Sequence, residues 1–206
     1  MRITNDAKIA TGQRILKVAG RLFQTDGWDN TTTREIASAA GIATGTLFNY
    51  FPCKEAIAAS LIAAALEQAE EEFTTRQSEE ASLEEELFRF IWGGLKRLRN
   101  YRNFLAPAME TIFSPLAQFS PERSGDAIRV RHLEAVQQLI AAHGANEPLR
   151  AVTLQLYWTL YLGVMAYWAA DQSPKQEDSL ALLDQSLKLF IASLNKGGDH
   201  DQRKSQ

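Results

Sequence analysis

Residues 31–54, TTTREIASAAGIATGTLFNYFPCK, decide the fold. Thr32 stands three residues before Glu35, the spacing at which a hydroxyl caps a helix and a carboxylate returns the bond. Ile36, Ala37 and Ala40 give that helix one apolar face. Gly41 falls where a helix end needs a residue tolerant of positive φ. Ile42 restarts the apolar pattern, and Leu47 with Phe51 carries it along a second helix. Small Ala37 lets the two helices cross closely. Two short helices joined at a glycine, followed at once by a third, make a helix-turn-helix, the unit that sets a recognition helix into the DNA major groove.

The run GIATGTLFNYFPCKEAI, residues 41–57, resembles the TetR family of bacterial transcription regulators, with Gly41, Ile42, Gly45, Thr46, Leu47, Phe51, Lys54 and Glu55 at matching places. The upstream segment RILKVAGRLFQTDGWDNTTTREIA, residues 14–37, resembles it too: a helix carrying Ile15, Leu16, Ala19, Leu22 and Phe23, then a break at Gly27 and an aromatic residue. Residues 12–62 carry the resemblance specifically; beyond them only an all-helical plan and the length are shared. It implies a three-helix DNA-binding domain over residues 1–54 and a helical effector-binding and dimerisation domain over 55–196; the polar, glycine-containing composition of residues 197–206 reads as a flexible tail.

Eight residues are expected at DNA: Thr32, Thr33, Thr44, Gly45, Thr46, Asn49, Tyr50 and Lys54. Tyr50 and Lys54 resemble family positions that touch phosphates. Lys54 lies in the first turn of the next helix, where free N–H groups also favour an anion. Thr44 and Asn49 fall on the exposed side of the second helix, and an asparagine can read adenine through paired hydrogen bonds. Thr32, Thr33 and Thr46 bond phosphates, with Thr32 equally suited to be a simple cap. Gly45 permits close approach to the backbone. The chain departs from the family pattern at Ala43, where a capping Ser is common, at Thr44, where Lys is common, and at Phe48, where Tyr is usual. Each change removes a polar or charged group. Cys53 takes the cap of the following helix, either as a tolerated small residue or as a thiol activated by the helix end and Lys54.

Net charge is −3, which at first argues against a DNA binder. Its distribution reverses the inference. Residues 1–54 hold seven Lys/Arg and four Asp/Glu, a balance of +3, so the remaining residues carry −6. A +3 module neutralises few phosphates, so useful affinity calls for two copies on one duplex. One cysteine excludes an internal disulfide and suits a reducing cytoplasm. Met1 to Ala10 is polar, with no sign of a signal peptide.

Downstream the pattern is helical throughout, with about nine helices in all and no strand-like alternation. Ile57, Leu61 and Ala65 form one stripe. Ser82 and Glu85 repeat the capping-box spacing ahead of Leu83, Leu87, Phe90, Ile91, Leu95 and Leu98. Pro107 is expected to kink or break the stretch Phe104–Phe113. Ser114–Gly125 reads as a loop. Ile128 to Ala142 reads as a helix closed by Gly144, and Asn146 with Pro148 opens the next. Ser173, Pro174 and Gln176 suggest a third capping box before Leu180, Leu183, Leu187, Phe190, Ile191 and Leu194.

Residues 151–170 contain no charge and are long enough to span a bilayer. Thr153, Gln155 and Thr159 are polar, however, and no basic cluster flanks the segment. A helix apolar all round can be buried by its own core on one side and a partner on the other. The expectation is a buried helix and no membrane. With the leucine stripe it forms a four-helix homodimer interface through helices near 149–171 and 174–195, as the resemblance also implies. Dimerisation would set two recognition helices about 34 Å apart, one turn of DNA. An effector favouring one spacing would then control binding to a palindromic operator.

Trp92, Phe104, Met109, Phe113, Trp158, Tyr161, Met165 and Trp168 are the expected lining of a pocket for an apolar or aromatic effector, with plain core as the alternative for each. The acidic runs Glu70–Glu72, Glu79–Glu80 and Glu84–Glu86 read as solvated faces. An enzyme is a poor fit. His132 and His143 are eleven residues apart, about three helical turns, too far to share a metal. No nucleophile elbow, phosphate loop or zinc-protease motif is present, and no cofactor or metal is expected. The reading is a cytoplasmic homodimeric repressor released by a small molecule; the alternatives are a constitutive helical DNA binder and a helical enzyme.

Overall fold

The computed structural model describes residues 5–75, 80–113, 125–144 and 148–202, with side chains described as far as Leu194. Most of the expected loop at Ser114–Gly125, Asn146, and the chain beyond Gln202 lie outside the described residues. The described residues are all-α: α1 (Asn5–Thr25), α2 (Thr33–Ala39), α3 (Thr44–Phe48), α4 (Lys54–Thr74), α5 (Leu83–Arg97), α6 (Arg102–Ile112), α7 (Asp126–Ala142), α8 (Ala151–Ala170) and α9 (Glu177–Gln202). A 3-10 turn at Leu98–Tyr101 runs into α6, and another at Pro174–Gln176 runs into α9.

The chain forms two compact units. The first comprises residues 1–68 and 97–128; the second comprises 69–96 and 129–206. In the first unit Ile15, Ala19 and Phe23 recur every four residues on α1 and are fully buried. Phe23 meets Trp28 and Phe104 at ring separations of 5.1 and 5.0 Å. Each such fully buried aromatic contributes roughly 1.5–3 kcal/mol through burial. The Gln24 side-chain amide donates to the Asn100 carbonyl at 2.8 Å, so the turn before α6 is tied to the end of α1. Residues 97–128 thus pack within the unit that holds the helix-turn-helix.

Pro107 lies inside α6 rather than breaking it. Its missing N–H orphans one carbonyl, that of Asn103 four residues back. Asn103 is exposed, where water can serve that carbonyl, and Phe104, Leu105, Ala108, Met109 and Ile112 hold the helix by burial on both sides of the proline.

In the second unit α8 packs against α9. Tyr157, Trp158, Tyr161, Val164, Met165 and Trp168 form the inward side of α8. No helix among the described residues is long and apolar enough to cross a membrane. Of the α9 stripe, Leu183, Leu187 and Phe190 are buried in their own unit, and Leu180, Ile191 and Leu194 are half-buried. The exposed apolar groups lie elsewhere, at Val152, Leu156 and Tyr167 on α8 and Leu189 on α9. Periodicity marked an apolar side of α9 correctly but not what covers it.

The third expected capping box does not form. The Ser173 side chain makes no cap bond to the 3-10 turn, and Gln176 is buried with φ 61°. Asp171 takes over: it accepts from the Ser173 N–H at 2.7 Å, from the Ser179 N–H at 3.0 Å and from the Ser179 hydroxyl. The Ser179 and Ser173 bonds hold its carboxyl far below the usual carboxylate range. The box at Ser82 does form, with Glu85 accepting from the Ser82 N–H and the Glu85 N–H donating back to Ser82 Oγ. Glu86 leaves the expected solvated acidic face. It falls on the inward stripe of α5 with Leu87 and Ile91, and His143 Nδ1 lies 3.8 Å from it.

Candidate nucleic-acid interface

The site begins with the cap of α2. The Thr32 N–H and hydroxyl donate to Glu35 Oε2 at 2.8 and 2.9 Å, and the Glu35 N–H donates to Thr32 Oγ1 at 3.2 Å. The Thr32 backbone bond, then its side-chain bond, hold the Glu35 carboxyl below its ordinary range. Ile36 and Ala37 are buried beneath this helix. Its end is closed by Gly41 at φ 66°, whose N–H donates to the Ser38 carbonyl at 3.0 Å, while the Ile42 N–H donates to the Ala37 carbonyl at 3.0 Å. The turn fixes where α3 starts.

Ala43 caps α3 without any side-chain bond, so the Ala43 carbonyl alone receives the Thr46 and Leu47 N–H groups at 2.9 and 3.1 Å. Leu47 is fully buried and sets the roll of this short helix. With Leu47 inward, Gly45, Phe48 and Asn49 are exposed and Thr44, Thr46 and Tyr50 are half-buried. Thr32 is exposed and Thr33 half-buried at the start of α2. No ionisable side chain other than the Tyr50 phenol and the Cys53 thiol stands between Glu35 and Lys54.

Lys54 is engaged more closely than the sequence suggests. Its ammonium donates to the Trp28 carbonyl at 2.7 Å and sits 4.3 Å from the centroid of the Trp28 ring. Trp28 in turn stacks on Phe104, with ring planes 13° apart. Trp28 is therefore the anchor that sequence reading missed, joining the start of α4 to the α1–α2 connection and to α6. An aromatic residue after Gly27 was visible; its partner 26 positions on was not.

Residues 15–61 match the sequence profile of the bacterial regulatory proteins of the tetR family. Over residues 15–61 the chain is similar to the TetR family. A search of curated proteins finds no match to the sequence. Among solved structures, the chain is similar to FadR of Thermus thermophilus, a TetR-family transcriptional repressor in complex with lauroyl-CoA, with 23% identity, TM-score 0.68, and coverage of 87% of this chain and 93% of that one. A TetR transcriptional regulator from Rhodococcus sp. RHA1 shares 19% identity at TM-score 0.64, covering 89% and 97%. The TetR-family regulator PfmR of Thermus thermophilus shares 26% identity at TM-score 0.51, covering 84% and 94%.

The eight expected effector residues divide between the two units. Phe104, Met109 and Phe113 belong to the first, where Phe104 and Met109 are buried and Phe113 half-buried. Trp92, Trp158, Tyr161, Met165 and Trp168 belong to the second, where all but half-exposed Trp92 are buried. The second unit also holds an aromatic cluster centred on a residue that sequence reading set aside. His132 stacks on Tyr161 at 4.0 Å between centroids, lies 5.3 Å from Phe90 and 5.9 Å from Trp158, and bonds the Tyr157 hydroxyl at 2.9 Å. Burial pushes the imidazole down to about 3 and the Tyr157 phenol well above its usual range. The imidazole and the phenol are both uncharged at neutral pH.

Proposed function

We propose that this protein is a homodimeric, cytoplasmic transcriptional repressor that binds a palindromic operator and leaves it on binding a small, largely apolar or aromatic effector. The carrying observation is the capped helix-turn-helix with Gly45, Phe48 and Asn49 exposed on α3. In this reading residues 1–54 bind DNA, 55–196 bind the effector and pair two copies, and 197–206 form a tail. Asn49 and Thr44 face base edges, Gly45 allows close approach, and Thr32, Thr33, Thr46 and Tyr50 meet phosphates. Lys54 has three donors and gives one to Trp28, so it can hold a phosphate while fixing the module.

Pairing is supported by the outward side of α8, where Val152, Leu156 and Tyr167 are 65%, 43% and 45% exposed with no charge along the helix, and by Leu189 on α9 at 59%. An apolar effector is supported by the second unit's wall of Trp158, Met165 and Trp168. It is also supported by the lauroyl-CoA held by the similar Thermus thermophilus FadR.

The test is selection of bound duplexes from a random pool, followed by binding at several salt concentrations. Palindromic enrichment with affinity that falls steeply with salt is expected. Release by a long-chain acyl-CoA or an aromatic metabolite supports the effector; tight binding indifferent to both panels favours a constitutive DNA binder. Absence of any enriched sequence refutes the DNA role.

A further inference from the structure

We propose that α3 reads A·T base pairs, with the Phe48 ring packing on a thymine 5-methyl group beside the Asn49 amide on adenine. This rests on α3 being the recognition helix. The commonest specific contact to a G·C pair is Arg or Lys on guanine O6 and N7. Residues 36–53 contain neither, nor any acid to accept from cytosine N4. The side chains that α3 can bring to a base edge are therefore short hydroxyls, one amide and one phenyl ring.

The phenyl ring is the unusual member. Phe48 is 48% exposed, the one phenylalanine among the large apolar groups left open in the described residues. Buried Leu47 turns its neighbour outward by one helical step, about 100°. Thr44 lies one turn back on the same side, and the space beside Gly45 is open, with no atom within 4 Å of where a Cβ would stand. Phe48 therefore stands proud of a small, uncharged surface. It has no hydroxyl with which to bond a phosphate. A ring of this kind gains from the thymine methyl, which is the one apolar group on the major-groove edge. Against guanine or cytosine it desolvates polar edge atoms and returns no hydrogen bond. Asn49, exposed at the next position, supplies the paired donor and acceptor that adenine N7 and N6 require.

The experiment uses the full chain and duplexes selected from a random pool. Half-sites with a fixed A·T step are expected. Each fixed thymine is then replaced by deoxyuridine, which removes only the methyl group. A replacement in a single half-site should weaken binding by about fourfold, the size expected for one methyl group withdrawn from water. In Phe48→Ala the same two duplexes should bind equally, with circular dichroism melting unchanged because the side chain is outside the core. Fixed G·C half-sites, equal wild-type affinity for thymine and uracil, or a thymine preference that survives Phe48→Ala each overturns the proposal. A pool that never enriches overturns the DNA-binding reading itself.

Discussion

Acid should destabilise this fold through one imidazole. His132 is buried among Phe90, Tyr157, Trp158 and Tyr161, and it titrates near 3 when folded against 6.5 in the open chain. Between those values the unfolded state takes a proton that the folded state refuses. The unfolded state therefore binds more protons, and stability falls as pH falls below 6.5. At pH 7.5 the linkage is negligible. At pH 5 the unfolded form gains about one and a half pH units of protonation free energy, or about 2 kcal/mol. That is a large share of a typical stability of about 5–15 kcal/mol. Urea unfolding of wild type and His132→Gln at both pH values isolates the contribution. Glutamine cannot titrate, and every other group, including His143 with its raised imidazole, is common to both chains. The wild type should lose about 2 kcal/mol more than the variant between pH 7.5 and 5. Equal losses, or a larger loss in the variant, would refute the assignment of His132 as a buried neutral imidazole.

Three further outcomes test other parts of the molecule. Gly41→Ala meets open space but must hold φ 66°, so it should cost about 1 kcal/mol in urea unfolding and weaken DNA binding by displacing α3. Leu189→Glu should yield a folded monomer by light scattering, whereas Leu187→Glu, at a site 2% exposed, should fail to fold by circular dichroism. Lys54→Ala should lower Tm by about 2–4 °C through loss of the Trp28 contacts and weaken DNA binding. Tyr50→Phe should weaken binding to all sequences alike without moving Tm.

What the sequence made legible was local. The Thr32–Glu35 and Ser82–Glu85 boxes depend on a spacing of three, and Gly41 on a backbone angle few other residues accept; each can be read within one turn of chain. What escaped it depends on partners far along the chain. Trp28 is anchored by Lys54 and Phe104, and His132 by a tyrosine 25 residues on. Pro107 was read by its own chemistry alone, yet burial of its neighbours outweighs one lost hydrogen bond. The leucine stripe was legible only in part. Periodicity reports that a helix has an apolar side, and α9 has one facing its own core and a second, through Leu189, facing outward. The expected box at Ser173 failed because the Asp171 carboxylate takes the Ser173 N–H and the Gln176 N–H donates to the Ser173 carbonyl instead of its hydroxyl.

The chemistry of α3 separates two quantities that are usually carried by the same residues. Affinity must come from phosphate contacts, and the cations for it lie off the recognition helix: Arg14, Lys17, Arg21 and Arg34 are exposed on α1 and α2, and Lys54 is half-buried at the start of α4. Those contacts weaken as salt releases their counterion advantage. Discrimination on α3 would rest on an uncharged ring and an amide, whose contacts with base edges displace no counterions. Raising salt should therefore lower binding to every duplex while leaving the ratio between thymine and uracil duplexes unchanged. A regulator built this way can scan DNA through weak, charge-driven contacts of a +3 module and still distinguish its site by apolar fit. A more basic module would tighten binding to every sequence alike and leave that ratio where it is, so the small net charge sets affinity and not selectivity.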